Sequence, residues 1–252
     1  MWQAALGLFP IFIASLVFNW SETLRLLGLS FFFGFFFEYL FAKFNGAQVN
    51  WKDGSTFFLC ALFAFLLPTG VSHWAVISGI FITLVVANDC FGGREQSLFH
   101  PALAGRAAVF VLFPGETLRT LEALGGTSVL AVLIGGLYLI SRRLISWRTP
   151  VIFIATLFAV SLPSGMAAAR EILTGGIFLS AFFVLSDSIT SPITRTGKVF
   201  YALFAAAFVC FLKQRLTLSE SATYGILFMN ALTPFIDRYL KPEARSHASA
   251  EI

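Results

Sequence analysis

The sequence predicts an all-α, polytopic membrane protein of about ten transmembrane helices, some of them broken or re-entrant. Three observations carry this reading. First, 58% of the 252 residues are hydrophobic and 12% are charged, with a mean hydropathy of +0.83, whereas soluble domains carry roughly one-quarter charged residues. Second, the apolar residues fall into runs joined by short polar connections. One crossing takes about 20 apolar residues, so ten would use roughly 200 of the chain. Third, the lysines and arginines are distributed unequally between alternate connections. A single transmembrane domain is expected over 1–240, with a short cytoplasmic tail over 241–252. Its surroundings are the lipid bilayer. The formal charge of +4 reflects that unequal distribution, and no nucleic-acid partner is expected.

The expected spans are 4–19, 24–44, 55–67, 74–90, 101–114, 127–140, 150–162, 171–186, 199–213 and 221–236, read from the length and continuity of the apolar runs. No basic segment or small-residue cleavage site precedes the first run, which therefore reads as a retained helix. The third and seventh runs are short and end in Leu67-Pro68-Thr69-Gly70 and Leu162-Pro163-Ser164-Gly165. Proline at such places marks a helix that stops within the bilayer, where protein or a water-filled cavity must satisfy the freed backbone. Twelve of the 17 Lys and Arg residues fall on one side of the ten spans, including Lys43, Arg106 and Arg195; Arg25, Arg119, Arg170, Lys213 and Arg215 fall on the other. The positive-inside rule then makes both termini cytoplasmic. The cluster Arg142, Arg143, Trp147, Arg148 reads as an interfacial anchor or as a lipid or partner-protein site.

The two Leu-Pro turns begin an internal echo. Gly79-Ile80-Phe81 and Asp89 follow the first, and Gly176-Ile177-Phe178 and Asp187 follow the second. Repeats in membrane proteins place sites between their halves, although glycine-rich apolar helices also resemble one another by chance. Four spans separate the copies, so they run in the same direction. Cys60, Cys90 and Cys210 lie far apart without C-x-x-C spacing. They read as small buried packing residues rather than a metal or redox motif; the remaining alternative is an iron–sulfur ligand shared with another subunit.

Chemistry is sought in the two polar loops that follow the echoed helices. In the earlier loop, Gly92 and Gly93 permit close backbone approach to a ligand. Ser97 and His100 follow, and Pro101 opens a helix whose free N–H groups suit an anion or carbonyl, with Arg106 one and a half turns further on. The loop is either a cofactor cradle or a sharp turn with an interfacial arginine. The later loop offers Asp187, Ser188, Thr190, Ser191 and Thr194, then Lys198. These are helix caps or a supply of hydrogen-bonding groups for a guest. Within the apolar runs, Glu38 is the clearest ionisable group and a candidate for an ion path, unless it pairs with Lys43 near the cytoplasmic end or simply lies at the interface. The phenylalanines from Phe31 to Phe37 around it read as lipid contacts. No catalytic side chain and no metal site is expected.

Several of these segments together resemble the RnfD/NqrB family, the membrane subunits of ion-pumping electron-transport complexes linking ferredoxin, NADH and quinone. Phe91-Gly92-Gly93 with His100-Pro101-Ala102-Leu103-Ala104-Gly105-Arg106-Ala107 is similar to the family's F-G-G and N-P-A-L-x-G-R-A. Thr127 to Gly136 and Ser146-Trp147-Arg148 resemble its sixth helix and following turn. Asp187, Thr190-Ser191-Pro192, Thr194 and Gly197-Lys198 resemble D-P-V-T-S-P-x-T-x-x-G-K. Glu220 to Leu227, Met229-Asn230-Ala231, Pro234 and Asp237 resemble the last helix. The pieces run in family order from about residue 55 to 240.

The resemblance implies a subunit of a membrane oxidoreductase and ion translocase in a bacterial cytoplasmic membrane, working with other membrane and peripheral subunits. It also implies flavin, riboflavin or FMN. Family members carry FMN on the threonine of an S-G-A-T motif in a long external loop, which here shrinks to Gly115–Gly126 without the motif. No covalent FMN is therefore expected, and any flavin would be non-covalent. In the NqrB branch two asparagines before P-A-L are associated with riboflavin; this chain has Ser97 and His100 there, and both can hydrogen-bond. His100 is then a proton-responsive partner for a reduced flavin or a structural residue at a helix start. A transporter or channel without redox activity, or an inert scaffold, are the competing readings, because fold does not settle function.

Overall fold

Helices and the turns between them make up the computed structural model of the chain, which describes residues 1–46, 53–90, 97–117, 123–165 and 171–240. The helices are α1 (Trp2–Gly7), α2 (Phe9–Phe44), α3 (Ser55–Leu66), α4 (His73–Phe81), α5 (Pro101–Leu112), α6 (Pro114–Thr117), α7 (Val129–Ser141), α8 (Arg148–Ser161), α9 (Gly175–Leu179), α10 (Arg195–Leu212) and α11 (Leu218–Tyr239). Among the described residues the only strand-like pairing is one bridge between Pro68 and Ala123. The fold is therefore all-α, as expected. The tail over 241–252 lies outside the described residues.

Among the described residues two helical stretches, Trp2–Phe44 and Arg195–Leu212, are long and apolar enough to cross a membrane; six further apolar stretches run 10–17 residues. The outward faces match that character. Phe44, Val17, Trp74, Leu130, Phe32, Phe211 and Phe204 are all well exposed, while Ser15, Thr23, Ser30, Thr83, Asn230 and Arg106 are buried. Apolar surface on this scale belongs against lipid or another protein, and the chain is a membrane protein.

The first two expected spans meet at a bend, with no separate turn. Asn19 alone leaves helical geometry (φ −143°, ψ 57°). The Thr23 hydroxyl donates to the carbonyls of both Asn19 (2.8 Å) and Ser15 (2.9 Å). Residues eight apart on a straight helix lie about 12 Å from one another, so these bonds require a sharp reversal. They also satisfy carbonyls that the bend frees. Beside the bend, Glu22 pairs with Arg25 (2.5 Å) and accepts from the Gly70 N–H (3.1 Å), while Arg25 donates to the Val71 carbonyl (2.7 Å). The bend is thereby tied to the turn after α3.

Helix α3 is the central element: ten of its twelve residues are buried, and at 1.5 Å per residue it covers about 18 Å, well short of a hydrocarbon core of about 30 Å. It stops at Leu67, whose carbonyl accepts from the Leu124 N–H (2.8 Å). The expected interruption at Leu67-Pro68 is thus real, and its freed backbone is satisfied by the segment before α7. The echoed Leu162-Pro163 behaves differently. It forms a 3₁₀ turn at the end of α8 with both residues exposed.

The echo is deeper in the next helix of each copy. α4 continues as a π-helix over Ile82–Asp89, and α9 continues as a π-helix over Ser180–Leu185. Thr83 donates to the Gly79 carbonyl and Ser180 to the Gly176 carbonyl, each at 2.9 Å. π-helical stretches are rare and concentrate at functional sites; both of these deliver the chain into the two polar loops. Close backbone packing sets the positions. A Cβ on Gly105 of α5 would lie 1.9 Å from Thr83 Oγ1 and 2.5 Å from the Gly79 carbonyl oxygen.

One sequence expectation is corrected by packing: Cys60 is buried and Cys210 is half-buried, but Cys90 is exposed, because it caps the end of the first π-helix. The Arg142, Arg143, Trp147, Arg148 cluster lies at the surface, with Arg142 over the Tyr138 ring and Arg148 over the Trp147 ring.

The α4–α5 contact yields a stability prediction. Gly105→Leu forces backbone apart and costs about 1–3 kcal/mol or more, read as a lower unfolding midpoint in detergent. Gly28→Ala, where a Cβ meets nothing within 4 Å, leaves the midpoint unchanged or slightly raised.

Candidate functional site

Helix starts and stops dictate where the polar groups gather. His100 precedes α5, with its own carbonyl accepting from the Leu103 and Ala104 N–H groups (3.0 Å each). Ser97 donates to the Ala87 carbonyl (3.0 Å), fastening the earlier loop to the first π-helix. Asp187 follows the second π-helix, whose last turn is closed by Ser186 donating to the Ala181 carbonyl (2.7 Å). The Asp187 carbonyl accepts from the Ser191 N–H (3.1 Å), which folds the later loop into a tight turn. These two loops meet. His100 Nε2 lies 3.8 Å from Asp187 Oδ2, with His100 fully buried and the Asp187 side chain 12% exposed. That is ion-pair range, beyond a direct hydrogen bond.

The last helix holds the meeting point together. The Thr233 hydroxyl donates to the Thr190 carbonyl (3.0 Å), and Asp237 accepts from the Ile193 N–H (3.0 Å). Asn230 is fully buried. The orientation of its amide that suits every neighbour has the oxygen accepting from the His100 N–H (3.2 Å) and the nitrogen donating to the Ile226 carbonyl (3.3 Å) and the Tyr201 hydroxyl. Asn230, Tyr201 and Thr233 are site-forming residues that the loop-based reading missed. Their signal was available: an amide and two hydroxyls inside apolar helices are costly unless paired.

The other expected residues divide. Thr190 and Ser191 are buried, and the hydroxyl of each lacks a hydrogen-bond partner among the described residues. Thr194 caps α10, accepting from the Gly197 N–H (2.9 Å), which is the capping role weighed for it. Lys198 is half-buried in the first turn of α10, near Asp237 and Arg148. Gly92 and Gly93 lie outside the described residues. Arg106 is not brought to the His100–Asp187 pair. It points along α5 toward the start of α11, where it donates to the Ser219 hydroxyl; Ser219 precedes Asn230 by eleven residues, about 16 Å of helix. Glu38 does not form the ion pair with Lys43. The Thr56 hydroxyl is its hydrogen-bonding neighbour, and Asp53 and Asp89 stand close enough to repel it. Lys43 lies in the last turn of α2, five residues on and so on another face of the helix.

His100 and Asp187, from two of the family-like segments, thus meet, and comparison with known proteins supports the family. The chain belongs to the NQR2, RnfD, RnfE family, whose model matches residues 1–121 and 117–246. It is similar to the RnfD-type component of the Na(+)-translocating ferredoxin:NAD(+) oxidoreductase complex of Acetobacterium woodii, with 30% identity over 243 aligned positions, 81% of this chain and 76% of the relative. The corresponding component of the proton-translocating ferredoxin:NAD(+) oxidoreductase complex of Clostridium ljungdahlii is 28% identical over 297 positions, 96% of this chain and 89% of the relative. The NqrB-type component of the Na(+)-translocating NADH-quinone reductase of Ectopseudomonas mendocina is 27% identical over 270 positions, 86% of this chain and 66% of the relative. The Clostridium alignment is longer than the 252 residues of this chain, so that relative carries segments without a counterpart here. The two stretches of family match meet at 117–121, inside the loop that reads as shortened.

The α11 contacts can be tested by stability. Thr233→Val strips the Thr190 carbonyl of a donor and costs about 0.5–1.5 kcal/mol. Asn230→Leu leaves the His100 N–H and Tyr201 hydroxyl without their shared partner and costs about 2–4 kcal/mol. Unfolding midpoints in detergent should fall in that order.

Proposed function

We propose that this chain is a membrane subunit of an Rnf/Nqr-type, ion-translocating electron-transport complex, working with other membrane and peripheral subunits. We further propose that the place where its two polar loops meet holds a flavin, riboflavin or FMN, without a covalent bond. Family membership and the names of the relatives support the first statement. The observation that carries the second is the approach of His100 to Asp187 at 3.8 Å, beside two buried hydroxyls, Thr190 and Ser191, without partners among the described residues. Buried polar groups left over in this way suit a polar guest. The sequence lacks S-G-A-T, and the match to the family divides at the shortened loop, so covalent FMN is not part of the proposal.

The residues fit the group. Thr190 and Ser191 can donate to or accept from the polar edge of a ring system. Ser97 fastens the earlier loop and Gly92 and Gly93 would let its backbone approach. Asp187 and His100 form a carboxylate–imidazole pair able to hold a proton, and Lys198, beside Asp237 and Arg148, is proposed to add positive charge. A bound flavin would supply the ability to accept and release electrons singly or in pairs. Glu38 is proposed as a station on an ion path, because a carboxylate among apolar helices beside Asp53 and Asp89 favours a cation or proton. The membrane is the bacterial cytoplasmic membrane, crossed about ten times with both termini cytoplasmic; the excess of basic residues on the side of the two loops supports that orientation.

Cofactor analysis of the intact complex is the test. Flavin that leaves this polypeptide on acid denaturation is expected. Thr190→Val and Ser191→Ala should each weaken retention about threefold to tenfold, the equivalent of a lost hydrogen bond of about 0.5–1.5 kcal/mol. Flavin that stays attached to this chain after denaturation, or a complex whose flavin content is indifferent to both substitutions and to Asp187→Asn, overturns the site.

A further inference from the structure

At the end of the bundle opposite the His100–Asp187 pair lies a cavity of about 160 Å³ lined by Arg106, Thr174, Ser180, Thr217 and Ser219, with Glu171 at its edge and apolar groups between them. Arg106 is 1% exposed. Its guanidinium donates to the Ser219 hydroxyl and lies over the Phe110 ring, 5.1 Å from the centroid. No carboxylate of the described residues comes within ion-pair distance of it, and its Nε has no hydrogen-bond partner among them. A buried cation with no counter-ion among the described residues is in one of the costliest arrangements a protein can hold.

Among the described residues, the neighbouring carboxylates are already engaged. Glu171 pairs with Lys213 at 2.6 Å. Glu220 is felt by Arg106 at a distance, but its oxygen accepts from the Thr217 N–H (3.1 Å) and hydroxyl (2.8 Å) in a capping box. The start of α11, a helix of 22 residues, also faces the cavity through Thr217, Leu218 and Ser219, and a helix N-terminus favours negative charge. The first turn of α11 already holds Glu220, so the demand for an anion in the cavity rests on Arg106.

We propose that this cavity is a binding site for a small carboxylate anion, with Arg106 as its counter-ion. A carboxylate suits better than a spherical or tetrahedral anion. The guanidinium fork matches two coplanar oxygens, the Ser219 hydroxyl, which accepts from Arg106 and keeps its own proton to donate, adds to their shell, and Ala123, Ile177, Leu218 and Ala222 offer apolar contact to a short carbon tail. The volume lies below the roughly 300–1,000 Å³ of drug-sized sites, which limits the guest to a few heavy atoms. This site is separate from the flavin reading and stands or falls without it.

The test uses the intact complex in nanodiscs and ¹³C-labelled acetate, followed by saturation-transfer NMR at constant ionic strength, with chloride and phosphate as competitors. Saturable acetate binding is expected, abolished by Arg106→Gln and weakened about threefold to tenfold by Ser219→Ala, which removes one donor and keeps the charge. Ser219→Ala also tells a lost site from a lost fold should Arg106→Gln not assemble. Chloride or phosphate displacing acetate at equal or lower concentration would mark a plain inorganic anion site and overturn the carboxylate assignment. Absence of saturable binding, or binding unchanged in both variants, would overturn the site itself.

Discussion

Backbone and side-chain polar groups inside an apolar envelope have to find partners within the protein, and in this chain that requirement decides where the buried irregular features among the described residues lie. The bend at Asn19 exists because Thr23 takes up the carbonyls it frees. The stop at Leu67 exists because Leu124 supplies an N–H. Both π-helices end where a hydroxyl takes up a backbone carbonyl, Ser97 at Ala87 and Ser186 at Ala181. A soluble protein could leave such groups to water; here each interruption recruits another, and polar residues collect into connected places.

Two such places result, one at each end of the bundle, and α11 runs between them. It carries half-buried Ser219 and buried Thr223 near one end and buried Asn230 and Thr233 near the other, with Ile226 fully buried between. Polar ends separated by an apolar middle would allow each end to exchange with its own side of the membrane while the centre blocks a continuous aqueous path. The same helix fastens α5 at both places, through Asn230 to the backbone of His100 and through Ser219 to the side chain of Arg106. A displacement of α11 would therefore reach both sites together.

The internal echo has physical content that residue matching understated. Each copy carries a helix that passes from α to π geometry and then releases the chain into a polar loop, and in each a hydroxyl donates back to a glycine carbonyl one turn earlier. The copies differ where burial differs: Leu67-Pro68 is inside and paired with the segment before α7, whereas Leu162-Pro163 faces outward. Repetition of the backbone pattern with divergence of the surroundings explains why one interruption terminates a central half-length helix and the other merely caps a surface one.

By itself the sequence determined the helical class, the order of the apolar runs, the two loops that matter and the absence of S-G-A-T, because hydropathy, proline position and motif order are local properties that need no knowledge of packing. It also contained the signal of Asn230, an amide stranded in an apolar run. Only the tertiary structure decided which polar groups share a place. His100 meets Asp187 from a distant part of the chain, Arg106 leaves the loop it belongs to in sequence and turns to α11, and Glu38 faces Thr56 in preference to Lys43. Those choices depend on which helix faces which and how closely glycines such as Gly105 let the backbones approach, and contacts between distant segments have no signature in the spacing of a single run.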